Sequence, residues 1–397
     1  MKKFLTILTI LVFSLSQSAY AVQKKITVQS LVLISSIGNR DEISGMLTNG
    51  KTIILYGSNV KAVDISGAEL WNLRLEEKAE AFVTTAVTDN LGNIWAAGSL
   101  SSGVSVSPSP TPSISPLNPD SVVLTTPDPL RSDLNSVGVW KISNKGEILT
   151  RFHLDLNKPV LATDIAIDES GVSISGITDT GQGTIGVLIN CDNAGICSKP
   201  FFIGSSDTNL DGVVRNIDGS KILSGGSSET LFGKKVVGSR DGILITVSKT
   251  GKISKVVRSS AAKSKRNWKS ITNNFLLGGE VTSGNKSESA ITKFSGTLVP
   301  TWNVRFPSTG NTLVSNGTPT NFFTFFASTS AISNLSGWNP KGASGLVLRL
   351  DNKGAIMGGY SATAITEPLA MAYSKELGLV VAGLTGDTVS IFHLISR

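Results

Sequence analysis

The sequence predicts an all-β fold: a seven-bladed β-propeller of four-stranded blades, its ring closed by the N-terminal strand. Three observations predict it. A short apolar strand ending in a small residue recurs seven times, an alternating strand with a glycine turn recurs between those copies, and helical periodicity is sustained nowhere.

The chain opens with Lys2 and Lys3, an apolar stretch over residues 4–15, and Ala19-Tyr20-Ala21, a small-x-small cleavage site. Residues 1–21 therefore read as an export signal, and residues 22–397 as one propeller domain. A membrane-spanning helix needs about 18 apolar residues or more, which neither this stretch nor any later one supplies. The expectation is a secreted or cell-surface protein with no membrane insertion. No cysteine stands beside the cleavage site and no sorting tail ends the chain, so no lipid anchor is expected.

The first pattern occupies residues 52–57, 93–98, 172–176, 221–226, 274–279, 322–327 and 379–383, and ends in Gly57, Gly98, Gly176, Gly226, Gly279, Ala327 and Gly383. The second is an alternating strand, a polar turn and a further strand, with turn residues Gly67, Gly146, Gly195, Gly251, Gly296 and Gly354. Glycine suits such turns because a Cβ atom disfavours positive φ. The turn glycines are 79, 49, 56, 45 and 58 residues apart. The long first interval contains residues 101–136, where Pro108, Pro110, Pro112, Pro116, Pro119, Pro127 and Pro129 alternate with Ser, Thr and Asp. Each proline removes an amide donor, so this segment reads as an extended, mobile insertion. Without its roughly 30 residues the first interval falls near 49, in line with its neighbours and with the ~40–50 residues of a four-stranded blade.

The seventh unit stops at residues 390–397, level with a third strand, and lacks a fourth. Residues 26–34 have the character of a fourth strand. They are expected to pair with the C-terminal strand and remove an exposed edge.

Asp89-Asn-Leu-Gly-Asn-Ile-Trp-Ala-Ala-Gly-Ser, followed by Gly138-Val-Trp-Lys-Ile-Ser-Asn-Lys-Gly, resembles the bacterial β-propeller repeats of the SBBP type found in exported proteins. The resemblance covers nearly all of residues 22–397, although Asn273-Asn274 and Thr320-Asn321 stand where a turn glycine would be. It implies a propeller in a secreted or surface setting and no one reaction. Gly67 to Trp71, and Trp302, also resemble the Gly-to-Trp spacing of quinoprotein-type repeats. Only some units show it, so no quinone cofactor is expected.

Asp207, Asn209, Asp211, Val213 and Asp218 match the spacing of an oxygen-rich calcium loop, with Gly212 at its sharp turn, and calcium is the one cofactor the sequence suggests. The plainer reading is a polar turn in which Asp218-Gly219 makes the next hairpin. Cys191 and Cys197 flank a turn-like segment and are expected to form a disulfide across a hairpin, as an oxidising compartment permits. Trp338, in an expected loop between second and third strands, is the candidate exposed ligand contact. Phe322, Phe323, Phe325 and Phe326 read as packing between blades.

The formal charge of +7 falls to +5 without Lys2 and Lys3, which indicates no nucleic-acid partner. Lys263, Lys265, Arg266 and Lys269, with Trp268 among them, read as a solvated loop face. His153 and His393 are the only histidines, each in an apolar strand without a catalytic motif, and the acidic residues show no repeated spacing that would converge two of them. The expected function is therefore a non-catalytic, monomeric binding module for a protein or glycan. The alternative is an extracellular hydrolase or lyase whose carboxylates come from several blades and meet at the central channel.

Overall fold

The computed structural model describes residues 25–101, 130–318 and 320–394. The expected export signal and most of the proline-rich insertion lie outside the described residues. Among the described residues every regular element is a β strand.

After β1 (Ile26–Ser30) and β2 (Val32–Asn39) the strands fall into antiparallel groups of four. The first holds β3 (Ile43–Asn49), β4 (Thr52–Gly57), β5 (Val60–Val63) and β6 (Glu69–Leu73), and the second β7 (Ala81–Thr88), β8 (Ile94–Ser101), β9 (Leu134–Ile142) and β10 (Ile148–Asp155). The third holds β11 (Val160–Asp168), β12 (Gly171–Asp179), β13 (Thr184–Cys191) and β14 (Phe201–Ile203), and the fourth β15 (Thr208–Arg215), β16 (Lys221–Ser227), β17 (Asp241–Val247) and β18 (Ile253–Ser259). In the fifth, β19 (Lys265–Ile271), β20 (Leu276–Ser283) and β21 (Lys286–Phe294) pair with the first half of β22 (Pro300–Asn316). The second half of β22 opens the sixth, with β23 (Asn321–Ser328), the short β24 (Leu335–Ser336), β25 (Ser344–Asp351) and β26 (Ile356–Ala362). These two groups thus share a strand and, together with β1, form one nine-stranded sheet. The seventh comprises β27 (Glu367–Ser374), β28 (Gly378–Thr385), β29 (Thr388–His393) and β2. First strands stand side by side in the order β3, β7, β11, β15, β19, β22, β27, and β27 returns to β3.

The expected closing strand divides at Leu31. Val32 pairs with His393 and Leu33 with Phe392, as expected of a fourth strand. Ile26–Ser30 instead runs parallel to β26, Val28 opposite Gly359, and touches β24. Leu31 is buried between the two, so the N-terminal segment straps the sixth group to the seventh. The loop carrying Trp338 folds back with β24. Trp338 is accordingly not an exposed contact: it is 5% accessible, and its Nε1 donates to Ser328 Oγ at 3.2 Å.

The recurrent small residue has a steric cause. Each first strand carries a bulge, and the residue before it pairs with the small residue of the second strand: Ile43 with Gly57, Val83 with Gly98, Ala162 with Gly176, Leu210 with Gly225, Trp268 with Gly279 and Pro368 with Gly383. In the fourth group the paired residue is Gly225, one position before the expected Gly226. The bulge pushes backbone toward the neighbouring strand. A Cβ on Gly98 would lie 2.1 Å from Phe82 O, and one on Gly225 2.0 Å from Asn209 O. In the sixth group, where Ala327 takes this place, the irregularity widens to span Ser308 to Thr312.

The hairpin turns are shared too. Gly67, Gly146, Gly195, Gly251 and Gly354 all have φ near +80°, but in the fifth group Leu298, not Gly296, takes positive φ. Packing explains the exception, since Leu298 is buried against Trp268 and Phe294. Two turns also receive a tryptophan from the preceding group: Trp71 lies against Gly146 and donates to Asn144 O at 3.2 Å, and Trp302 lies against Gly354 and donates to Asn352 O at 2.9 Å. Cys191 and Cys197 are disulfide-bonded across the β13–β14 turn. The four phenylalanines of β23 are buried on alternate faces, Phe322 and Phe326 on one side and Phe323 and Phe325 on the other.

Gly98→Ala should lose about 2 kcal/mol or more, and the melting temperature should fall by several degrees. Gly296→Ala, whose Cβ meets nothing within 4 Å, should change stability by less than about 0.5 kcal/mol. Equal losses in thermal unfolding would refute the bulge as the cause of the repeat.

Candidate functional site

A bulge leaves a backbone carbonyl without its ladder partner and turns one extra side chain out of the sheet. Here each need meets the other. Ser44, the extra residue of β3, donates to Val83 O of β7 at 2.5 Å. Thr84 of β7 donates to Ala162 O of β11 at 2.6 Å, and Thr163 of β11 to Leu210 O of β15 at 2.7 Å. Further round, Ser270 donates to Thr312 O at 3.1 Å and Asn311 to Pro368 O at 3.0 Å. Bulge residues and their neighbours from all seven first strands surround one cavity of about 330 Å³.

The cavity wall is divided. Met46, Leu313, Val314, Leu369, Ala370 and Met371, on β3, β22 and β27, make one side apolar. The opposite side, on β7, β11, β15 and β19, carries Thr84, Thr85, Thr163, Asp164, Asp211 and Lys269. Asp211 and Lys269 are the bulge residues of β15 and β19, so charge stands where Ser44, Thr84 and Thr163 place hydroxyls.

Asp164 is partly open to the cavity but deep in the molecule. Its Oδ1 accepts from Ile165 N and its Oδ2 from Val213 N, both at 2.9 Å. No basic side chain among the described residues lies within ion-pair distance of it. Burial pushes its carboxyl up to about 7; its amide donors and Thr85 oppose the rise, and Asp211 adds to it. Asp211 accepts from Asn209, and from Asn267 at 3.4 Å, and lies 3.9 Å from Lys269 Nζ. Burial pushes it up to about 6, with Lys269 and Arg240 opposing. Tyr56, also on the wall, has its phenol raised well above the usual range by burial and by Asp164. The two acids together can hold, share or release a proton near neutral pH.

The calcium loop expected at Asp207, Asn209, Asp211, Val213 and Asp218 is not formed. Thr208–Arg215 of the segment form the extended strand β15, about 25 Å long at ~3.3 Å per residue, and the segment's polar groups are spent separately. Asp207 is ion-paired to Arg240 and bonded to Ser228, Asn209 is bonded to Arg240, and the Val213 amide serves Asp164. Asp218 lies beyond the far end of the strand, in the turn to β16, where it accepts from Ser220. Among the described residues no group of three or more His, Cys, Asp or Glu side chains is placed to hold a metal ion. The basic stretch expected as a solvated loop is also corrected: Lys265 to Lys269 belong to the first strand β19, with Arg266 and Trp268 buried and Lys269 on the cavity wall. Asp164 and Lys269 were therefore missed as site residues. Their signal was present in the repeat, because Lys269 follows by one residue, and Asp164 by two, the residue paired with a small residue.

No family model matches the chain, and no curated protein matches it. Among solved structures it is similar to Raptor from Chaetomium thermophilum, with 11% identity and a TM-score of 0.52 over 94% of this chain and 30% of that one. The chain thus spans less than a third of that protein's length. It is also similar to BBS1N in complex with ARL6DN, at 10% identity, with TM-scores of 0.47 and 0.48 in the lead-soaked and mercury-soaked crystals, over 94% of this chain and 94% and 95% of those. At such identities the likeness to Raptor speaks to the β-rich fold alone.

Below the unfolded carboxyl value of about 3.9, Asp164 is protonated whether the chain is folded or not, and contributes no pH dependence. Between there and about 7 the unfolded chain gives up the proton first, so the folded state loses stability as pH rises. Asp164→Asn should raise the melting temperature by a few degrees at pH 8 and leave it unchanged at pH 4. A shift of the same size at both pH values would show that the carboxyl is not strained by ionisation.

Proposed function

We propose that the chain is an exported, seven-bladed β-propeller, closed by β2, that binds a small amine-bearing ligand on its axis. The neighbour order of the first strands, returning from β27 to β3, supports the closed ring. The disulfide is compatible with an extracellular setting. The carrying observation is the polar sector, where Asp164, with no counter-ion among the described residues, sits near Asp211 across from an apolar wall. An ammonium group suits the acid side and an apolar body the other. The cavity lies at the small end of the range of ligand pockets, roughly 300–1,000 Å³, which favours a small molecule over the protein or glycan expected from the loops. With Trp338 buried, the loop-borne site loses its one named residue.

A second reading has its own support. Two neighbouring carboxyls raised to about 7 and about 6 are matched to general acid and base work at neutral pH, as a hydrolase or lyase at the channel would require.

Calorimetric titration with phenethylamine and putrescine at pH 7.5, in two buffers of different ionisation enthalpy, tests the first reading. Binding should release protons, because an ammonium beside Asp164 favours its ionised form, and Asp164→Asn should weaken it about tenfold or more. Binding unaltered in that variant would sink the proposal. Turnover of an ester or glycoside panel, lost in both Asp164→Asn and Asp211→Asn, would select the enzyme.

A further inference from the structure

A second cavity, of about 370 Å³, opens at the seam between the sixth and seventh groups, beneath β1. Arg349 of β25 and Lys375 of the β27–β28 turn line it, together with Phe323, Tyr360, Tyr373 and Gln29, and among the described residues no carboxylate does. Among the described residues neither cation is within ion-pair distance of an acid. Arg349 makes one hydrogen bond to protein, from Nη2 to Met357 O at 3.2 Å, while its Nε is buried without a partner. Two like charges converging on a partly enclosed space leave an uncompensated positive field, which an anion would relieve. The cavity wall also carries Phe323 and Tyr373, stacked at 5.6 Å between centroids.

We propose that this seam binds a small organic carboxylate with a flat apolar body. The planar guanidinium fork of Arg349 matches a carboxylate in two-point geometry, Lys375 supplies a second, point-like charge, and the aromatic wall takes the body. A bare anion would use the charges and leave the wall idle. The site shares no residue with the axial cavity and does not depend on what that cavity binds.

The test is binding of benzoate to the full chain by saturation-transfer NMR and calorimetry, beside benzyl alcohol, glucuronate and inorganic phosphate. Benzoate should bind, benzyl alcohol should not, and Arg349→Gln and the surface variant Lys375→Gln should each weaken benzoate by about tenfold, one charge-assisted contact being worth about 1.4 kcal/mol. Glucuronate should bind more weakly than benzoate, having a carboxylate without an aromatic ring. Melting temperatures of both variants within a few degrees of the parent show that the loss is not one of folding. Benzoate binding unchanged in both variants, or no binding at all, overturns the proposal. Phosphate binding as tightly as benzoate also overturns it, since the aromatic wall would then contribute nothing.

Discussion

The bulge in each first strand is the constraint from which the rest follows. It forces the opposite residue to be small, because the displaced backbone occupies the place of a Cβ, as at Gly57, Gly98 and Gly279. It also frees a carbonyl that the ladder no longer satisfies, and a buried carbonyl without a donor is costly. The preceding group supplies the donor from its own bulge: Ser44 to Val83, Thr84 to Ala162, Thr163 to Leu210. One irregularity therefore excludes a Cβ from the facing strand, links the first four groups in series and turns a side chain toward the shared cavity.

A linkage of this kind makes departures informative. At Asp211 the donor hydroxyl is replaced by a group that, once ionised, can only accept, and at Lys269 by a cation. Both lie in the same sector as Asp164. Two adjacent groups give up part of the hydrogen-bonded pattern to gather charge beside Asp164, whereas β27 places the apolar Leu369 at its bulge. Local departures of this sort are expected where a protein trades stability for a site.

The linkage between neighbours is reinforced at the periphery and completed at the termini. Trp71 and Trp302 each reach across to the turn of the next group, where glycine leaves room for the ring and a turn carbonyl accepts the indole N–H. The N-terminal segment performs two tasks, running parallel along β26 before Leu31 and antiparallel along β29 after it. That crossing ties the seventh group to the sixth beside the seam containing Arg349 and Lys375.

Much of this was legible in the sequence. The seven small-residue strands are the second strands of the seven groups, five of the six turn glycines take positive φ, and the two cysteines are joined. These features are local: a turn needing positive φ, or a backbone approach that excludes a Cβ, leaves its mark at one position in every copy. Burial and convergence are not local. Asp207 to Asp218 carries the spacing of a calcium loop, but strand pairing stretched it and ion pairs consumed its charges. Trp338 looked like a loop tip until β24 folded it under β1. The sequence by itself determined the repeat, its turns and its disulfide, because each depends on residues that are neighbours in the chain or across one hairpin. Only the tertiary structure decided that Asp164, Asp211 and Lys269, from three different strands, share one cavity, because that depends on which strands stand side by side and on how each bulge turns its extra residue.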